Sequence, residues 1–182
     1  QIQQQGLSGA IMFPTQGVGM QESLRGDPEA ACAAFTGFNR WLEEDWGFSY
    51  QDCLYAAPYI SLADPEWAVE EAESLISRGA RVISMVPGPI PIGGDGAQSP
   101  GHPDYDRFWA VVADAGITVA FHSGDSGYRR HLELWGGNSR FKAFDFDPLI
   151  TCLSATPIHD TFAAMICHGV FERHPKLRVA SI

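Results

Sequence analysis

At 182 residues, 45% of them hydrophobic and 12% aromatic, the chain can bury one sizeable core, and its composition excludes wholesale disorder. Its formal charge of −10 and pI near 4.9 argue against nucleic acid or anionic lipid as the main partner. A small-molecule substrate, which senses only the local field, stays compatible.

The first expected strand, Ala10 to Phe13, ends at Pro14 and is followed by a Gly-rich loop. Asp27-Pro28-Glu29 then reads as a helix start: an Asp cap, a Pro in the first turn and a Glu near the positive helix end. That helix runs to about Trp46 and stops at Gly47. A second strand covers Leu54 to Leu62, interrupted near Pro58. Asp64-Pro65-Glu66 repeats the helix start, and Val69, Ala72, Leu75 and Ile76 recur at helical spacing, so they face a sheet. Ala80 to Val86 forms the third strand, and the Pro- and Gly-rich stretch Pro87 to Gly101 reads as an irregular loop.

A helix over about Pro103 to Ala115 leads into Ile117 to Phe121, a wholly apolar strand that delivers His122 into a turn of small residues, Ser123-Gly124-Asp125. A strand apolar on both faces belongs in a parallel sheet covered by helices. In such folds ligands and chemistry collect at the carboxyl ends of strands, which makes His122 a candidate for binding a metal or moving a proton. Asp125 is placed to orient that imidazole, bind a substrate cation or cap its own turn. Ser123 to Ala155 is an irregular insertion with short helices, and its Tyr128, Arg129, Arg130 and Trp135 could grip an aromatic acid. A helix opens at Thr156-Pro157, and Leu177 to Ile182 begins a fifth strand.

Strand–helix alternation means βα units and a parallel sheet. An eight-stranded barrel needs about 250 residues. The expectation is therefore an α/β fold, a partial (β/α)8 TIM barrel, with residues 1–182 as one incomplete domain lacking its first and last strands. A complete five-stranded open sheet is the competing arrangement. Open sheet edges would invite association, so a homo-oligomer is a compatible state.

His168 and His174 lie near a helix end, where imidazoles commonly satisfy free carbonyls, so both are read as structural. Cys32, Cys53, Cys152 and Cys167 form no CxxC pair; Cys32 and Cys167 sit in apolar helical runs and are expected as buried thiols in a reducing, cytoplasmic setting. No apolar run is expected to approach the roughly 20 residues that span a bilayer, and no membrane partner is expected.

The segments His102-Pro103-Asp104-Tyr105-Asp106-Arg107-Phe108-Trp109 and Ala115-Gly116-Ile117-Thr118-Val119-Ala120-Phe121-His122-Ser123-Gly124 resemble the amidohydrolase-related family of metal-dependent hydrolases and decarboxylases. His168-Gly169-Val170-Phe171-Glu172-Arg173-His174-Pro175-Lys176-Leu177-Arg178-Val179 resembles its second signature, the most specific part of a likeness that extends from about Ala10 onward. The resemblance implies a distorted barrel with one divalent metal, commonly zinc and sometimes manganese. The family's ligands are a His-x-His or Glu-x-His pair on the first strand, a His ending the fifth, a His after the sixth and an Asp ending the eighth. Only the fifth-strand His finds its match, at His122. The implied function is hydrolysis or decarboxylation of a small, carboxylate-bearing substrate, with His122 a metal ligand; the turn and loop positions of Asp125, Tyr128 and Trp135, read from the residues themselves, make them the expected substrate contacts. The 182 residues alone are expected to be inactive, and a non-catalytic or degenerate α/β module is the alternative.

Overall fold

The computed structural model describes residues 2–137 and 147–182. Strand β1, Ala10–Met12, is followed by a 3-10 turn at Gln16–Gly19 and a one-turn helix α1, Met20–Ser23, where the sequence predicted only a loop. Packing makes this turn: Gly17 lies so close to the Tyr59 ring that a Cβ there would stand 2.4 Å from its carbons. Helix α2, Pro28–Trp46, begins as predicted, with the Asp27 carboxylate accepting from the Ala30 amide at 3.0 Å. Gly47, at φ +70°, ends it.

Strands β2, Ser49–Tyr50, and β3, Leu54–Ala56, form a hairpin through Gln51 and Asp52, both at φ +50°. Asp64 caps helix α3, Pro65–Ser77, by accepting from the Glu66 and Trp67 amides, each at 3.0 Å. Strand β4, Val82–Met85, follows. The stretch expected to be irregular instead pairs with itself: β5, Ile90–Pro91, lies antiparallel to β6, Ala97–Gln98. Two-residue strands have too few positions to show a period. A 3-10 turn at Pro103–Tyr105 precedes helix α4, Asp106–Asp114, and then comes β7, Thr118–Phe121. The insertion holds the short helices α5, Arg129–Leu134, and α6, Pro148–Leu153, while its residues 138–146 lie outside the described residues. Helices α7, Thr156–Cys167, and α8, Val170–Arg173, lead to β8, Arg178–Ser181.

The parallel strands keep the order of the sequence, while β2 lies antiparallel on the far side of β3 from β1. β1 pairs in parallel with β3, and β4 with β7 and β7 with β8, also in parallel. The two halves join where the chain beyond β3 meets β4, through a parallel bridge between Tyr59 and Ser84. Asn39 of α2 makes this junction possible. β1 has ended by the level of Tyr59, so the Tyr59 backbone has lost its strand neighbour on that side. Asn39 replaces it: its Oδ1 accepts from the Tyr59 amide at 2.9 Å and its Nδ2 donates to the Tyr59 carbonyl at 2.8 Å. The same Nδ2 donates to Glu71 of α3 at 2.9 Å. All three residues are buried, so these groups have no water to fall back on.

Alternation along the strands sorts the side chains. Ile83, Met85, Val119 and Phe121 face α3, α4 and α7 in the large core, where Trp109 and Leu75 are also fully buried. Val82 and Ala120 point to the opposite face with Ala57, and Phe13 packs on them there. Ile11 and Ile182, at the two open edges, are 51% and 55% exposed.

Two expectations need correction. Cys32 is buried as predicted, but Cys167 is exposed, because the last turn of α7 turns it outward. One stretch, 148–167, does reach 20 residues and is apolar enough to cross a membrane by length and composition. It is two helices broken at Ser154 and Ala155. At 1.5 Å per residue they reach roughly 9 and 18 Å, each short of a hydrocarbon core of about 30 Å.

Candidate functional site

β7 carries His122 to the carboxyl end of the sheet, where its amide donates to the Met85 carbonyl at 2.9 Å. The next amide, of Ser123, donates to the Ile182 carbonyl at 3.3 Å. The backbone at His122 is thus pinned between the ends of β4 and β8. Among the described residues the half-buried imidazole makes one hydrogen bond, from Nδ1 to the Ser123 carbonyl at 2.9 Å. A carbonyl only accepts, so Nδ1 carries the hydrogen. In the neutral ring the lone pair then resides on Nε2, the arrangement of an imidazole ready to bind a metal or take up a proton.

One face of the ring stacks on Phe13, with centroids 5.1 Å apart and planes 20° from parallel. Phe13 directly follows β1, three strand positions away from β7. In a flat sheet that separation is roughly 14 Å. Contact between the two rings therefore requires the sheet to curl, placing His122 on the concave face. Sequence reading did not single out Phe13, since a stacking contact across the sheet leaves no local pattern.

The loop after β1 crosses this concave end. Val18 offers its carbonyl to the Asp125 amide at 2.9 Å, and Gly124 sits so near that a Cβ there would lie 2.7 Å from the same oxygen. The Asp125 carboxylate is exposed and accepts from the Gly127 amide at 3.1 Å rather than bonding His122. Of the roles open to Asp125, the structure shows turn capping. The loop starting at Pro87 meets the turn after His122, with Gly88 against Ser126. Beside it, Pro87, Ser123, Gly124, Ser154 and Ile182 line a cleft of about 250 Å³.

Tyr128 and Trp135 flank α5. The Tyr128 hydroxyl donates to Asp160 of α7 at 2.7 Å, and burial, then this bond and the Asp160 charge, push its pKa up. Trp135 is 63% exposed. His168 and His174 act structurally: His168 Nδ1 pairs with Ser99 Oγ at 2.9 Å, and His174 Nε2 lies 3.4 Å from Asp106. Arg173 grips the same Asp106 carboxylate with two nitrogens at 2.7 and 2.8 Å. Two segments of the sequence likeness thus clasp each other in the helical layer.

Among the described residues no group of three or more His, Cys, Asp or Glu could hold a metal ion. His122 suits one coordination position, whereas a catalytic zinc ordinarily has about three protein ligands. A complete centre is not formed by these residues alone.

A family model described as amidohydrolase matches residues 16–181. Among solved structures, an amidohydrolase from Mycobacterium avium subsp. paratuberculosis K-10 is 44% identical, with a TM-score of 0.88 over 100% of this chain and 45% of its own. The 2,6-dihydroxybenzoate decarboxylase from Rhizobium is 18% identical, with a TM-score of 0.74 over 99% of this chain and 53% of its own. The 5-carboxyvanillate decarboxylase from Novosphingobium aromaticivorans, solved with manganese and a nitrobenzoic acid, is 16% identical, with a TM-score of 0.66 over 99% and 47%. The last two likenesses concern the fold alone. The chain spans about half the length of these relatives. No curated protein matches.

Proposed function

The chain belongs to the amidohydrolase family, and from that premise we propose that it serves a barrel enzyme that hydrolyses or decarboxylates a small, carboxylate-bearing substrate with one divalent metal. In this reading residues 1–182 form one incomplete (β/α)8 domain. Parallel strands in sequence order, with none of the reversal that marks doubly wound sheets, support that architecture, as does the curl that joins Phe13 to His122.

The carrying observation is His122 at a strand's carboxyl end with its Nδ1 hydrogen engaged, which leaves Nε2 as the ligating atom. Manganese in the Novosphingobium enzyme supports a divalent ion, and imidazole equally suits zinc. Such an ion, when bound, supplies a polarised oxygen or an activated water. The chain's own part is to hold the backbone at His122 between the ends of β4 and β8. Asp125 offers an exposed carboxylate, Tyr128 an aromatic ring latched to α7, and Trp135 an open indole face for substrate.

The test is metal analysis and turnover of the intact protein that carries this chain, assayed on aromatic acids, amides and lactones. His122→Ala is expected to lower metal content and activity together, and His168→Ala to change stability alone. Full metal occupancy without His122 would sink the assignment. No metal and no turnover in the wild type would favour a non-catalytic module. The 182 residues by themselves are expected to bind zinc weakly and to turn over nothing.

A further inference from the structure

We propose that Phe13 is the positioning residue of His122, its ring fixing the imidazole plane so that Nδ1 stays on the Ser123 carbonyl and Nε2 keeps the lone pair. The purpose of this device rests on the reading of His122 as a ligand; its geometry does not.

The backbone around His122 is already held, by the Met85 and Ile182 carbonyls. What remains free is the side chain's own rotation, and the torsion about the bond to the ring is intrinsically broad for histidine. A single hydrogen bond to the adjacent carbonyl is a weak restraint on that rotation. The Phe13 ring, 20° from parallel at 5.1 Å, adds a flat wall that one ring plane fits, and the Nδ1 bond to the Ser123 carbonyl then selects between the two flips within that plane. Phe13 is itself seated on Ala57, Val82 and Ala120. Two of those three are alanines, and their small side chains leave the inner face open for an aromatic ring to reach across from β1. A purely space-filling residue would need only bulk; this one also presents a plane.

The experiment is ¹⁵N NMR of the histidine rings in the intact protein that carries this chain, stripped of metal by a chelator, at about pH 8.5, which is above the ordinary imidazole value. His122→Ala assigns the His122 signals. The wild type is expected to show His122 mainly as the Nδ1–H tautomer. Phe13→Leu, which keeps apolar bulk and loses the plane, is expected to move the tautomer ratio roughly fivefold toward Nε2–H. Phe13→Tyr is expected to restore the wild-type ratio. A wild type dominated by Nε2–H overturns the proposal, and so does a Phe13→Leu chain that keeps the wild-type ratio. Should Phe13→Leu fail to fold, the Tyr variant decides: retention of the ratio supports positioning and loss overturns it. If the tautomer follows Phe13 while the intact protein keeps its metal without His122, positioning stands and the ligand assignment alone falls.

Discussion

Removing the Asn39 side chain should reveal how much the junction between the two halves of the sheet depends on one amide. Asn39→Ala leaves the Tyr59 amide and carbonyl without partners inside a residue that is 0% exposed. An unpaired buried polar group costs about 1–3 kcal/mol, so two cost roughly 2–6 kcal/mol. Glu71 loses a donor as well. Against a total stability of about 5–15 kcal/mol this is a large fraction. With a urea m-value near 2 kcal/mol/M, the unfolding midpoint should fall by roughly 1–3 M. Glu71→Gln keeps a carbonyl facing Asn39 and should cost less than about 1 kcal/mol. Asn39→Asp keeps the acceptor for the Tyr59 amide, removes both donated bonds and places a second carboxyl group against Glu71; it should be at least as damaging as alanine at neutral pH. An Asn39→Ala midpoint within about 0.5 M of wild type, at unchanged m, would refute the reasoning.

The Asp106 clasp should be acid-sensitive. Burial raises the carboxyl pKa, but the Arg173 and His174 hydrogen bonds and their charges outweigh it, and the net shift is downward. Its stabilising contribution is therefore full above the ordinary carboxylate value of about 3.9 and is lost as pH falls through the lowered one. Asp106→Asn should flatten the loss of urea midpoint between neutral pH and pH 3; an unchanged slope would argue against it. Gly124→Ala would place a Cβ 2.7 Å from the Val18 carbonyl, and Gly17→Ala one 2.4 Å from the Tyr59 ring. Each should cost about 1–3 kcal/mol in thermal unfolding, and Gly124→Ala should speed hydrogen exchange at the Asp125 amide. Burial first, with the Asp64 and Glu71 charges adding to it, raises the Cys32 thiol to about 12. In the native protein a thiol reagent should label the exposed Cys152 and Cys167 promptly and Cys32 only on unfolding; prompt labelling of Cys32 would contradict its burial.

The helix starts were the most legible features. Asp27 and Asp64 each cap through their own neighbours, and such local chemistry is written in adjacent residues. His122 was legible for the same reason: an apolar run ending in one imidazole needs no distant partner to be noticed. Asn39 was not, because a polar residue inside a helix ordinarily points to solvent, and its partner Tyr59 lies twenty positions away. Phe13 escaped notice since its contact with His122 exists only once the sheet has curled. The hairpin of β2 and β3 turns on non-glycine residues in the left-handed region, Gln51 and Asp52, contrary to the usual turn signal. The Asp125 reading stayed open at the level of sequence because an aspartate in a turn serves its own backbone as readily as a neighbouring ring.

The sequential order of the sheet also bears on how the chain acquires its structure during synthesis. Each parallel strand docks on the one made just before it, so pairing can advance with the growing polypeptide from its amino end. The steps are unequal. β4 and β7 are separated by one short helix and a hairpin, whereas β7 waits for the whole of α5 to α8 before β8 arrives. Closure entropy rises only slowly with length, so the delay is mainly one of translation time rather than of free energy. Until Ile182 emerges, the Ser123 amide lacks its acceptor, and the loop that holds His122 is fastened on one side only. The imidazole is therefore among the last groups in this segment to become fixed, after the surrounding scaffold is already in place.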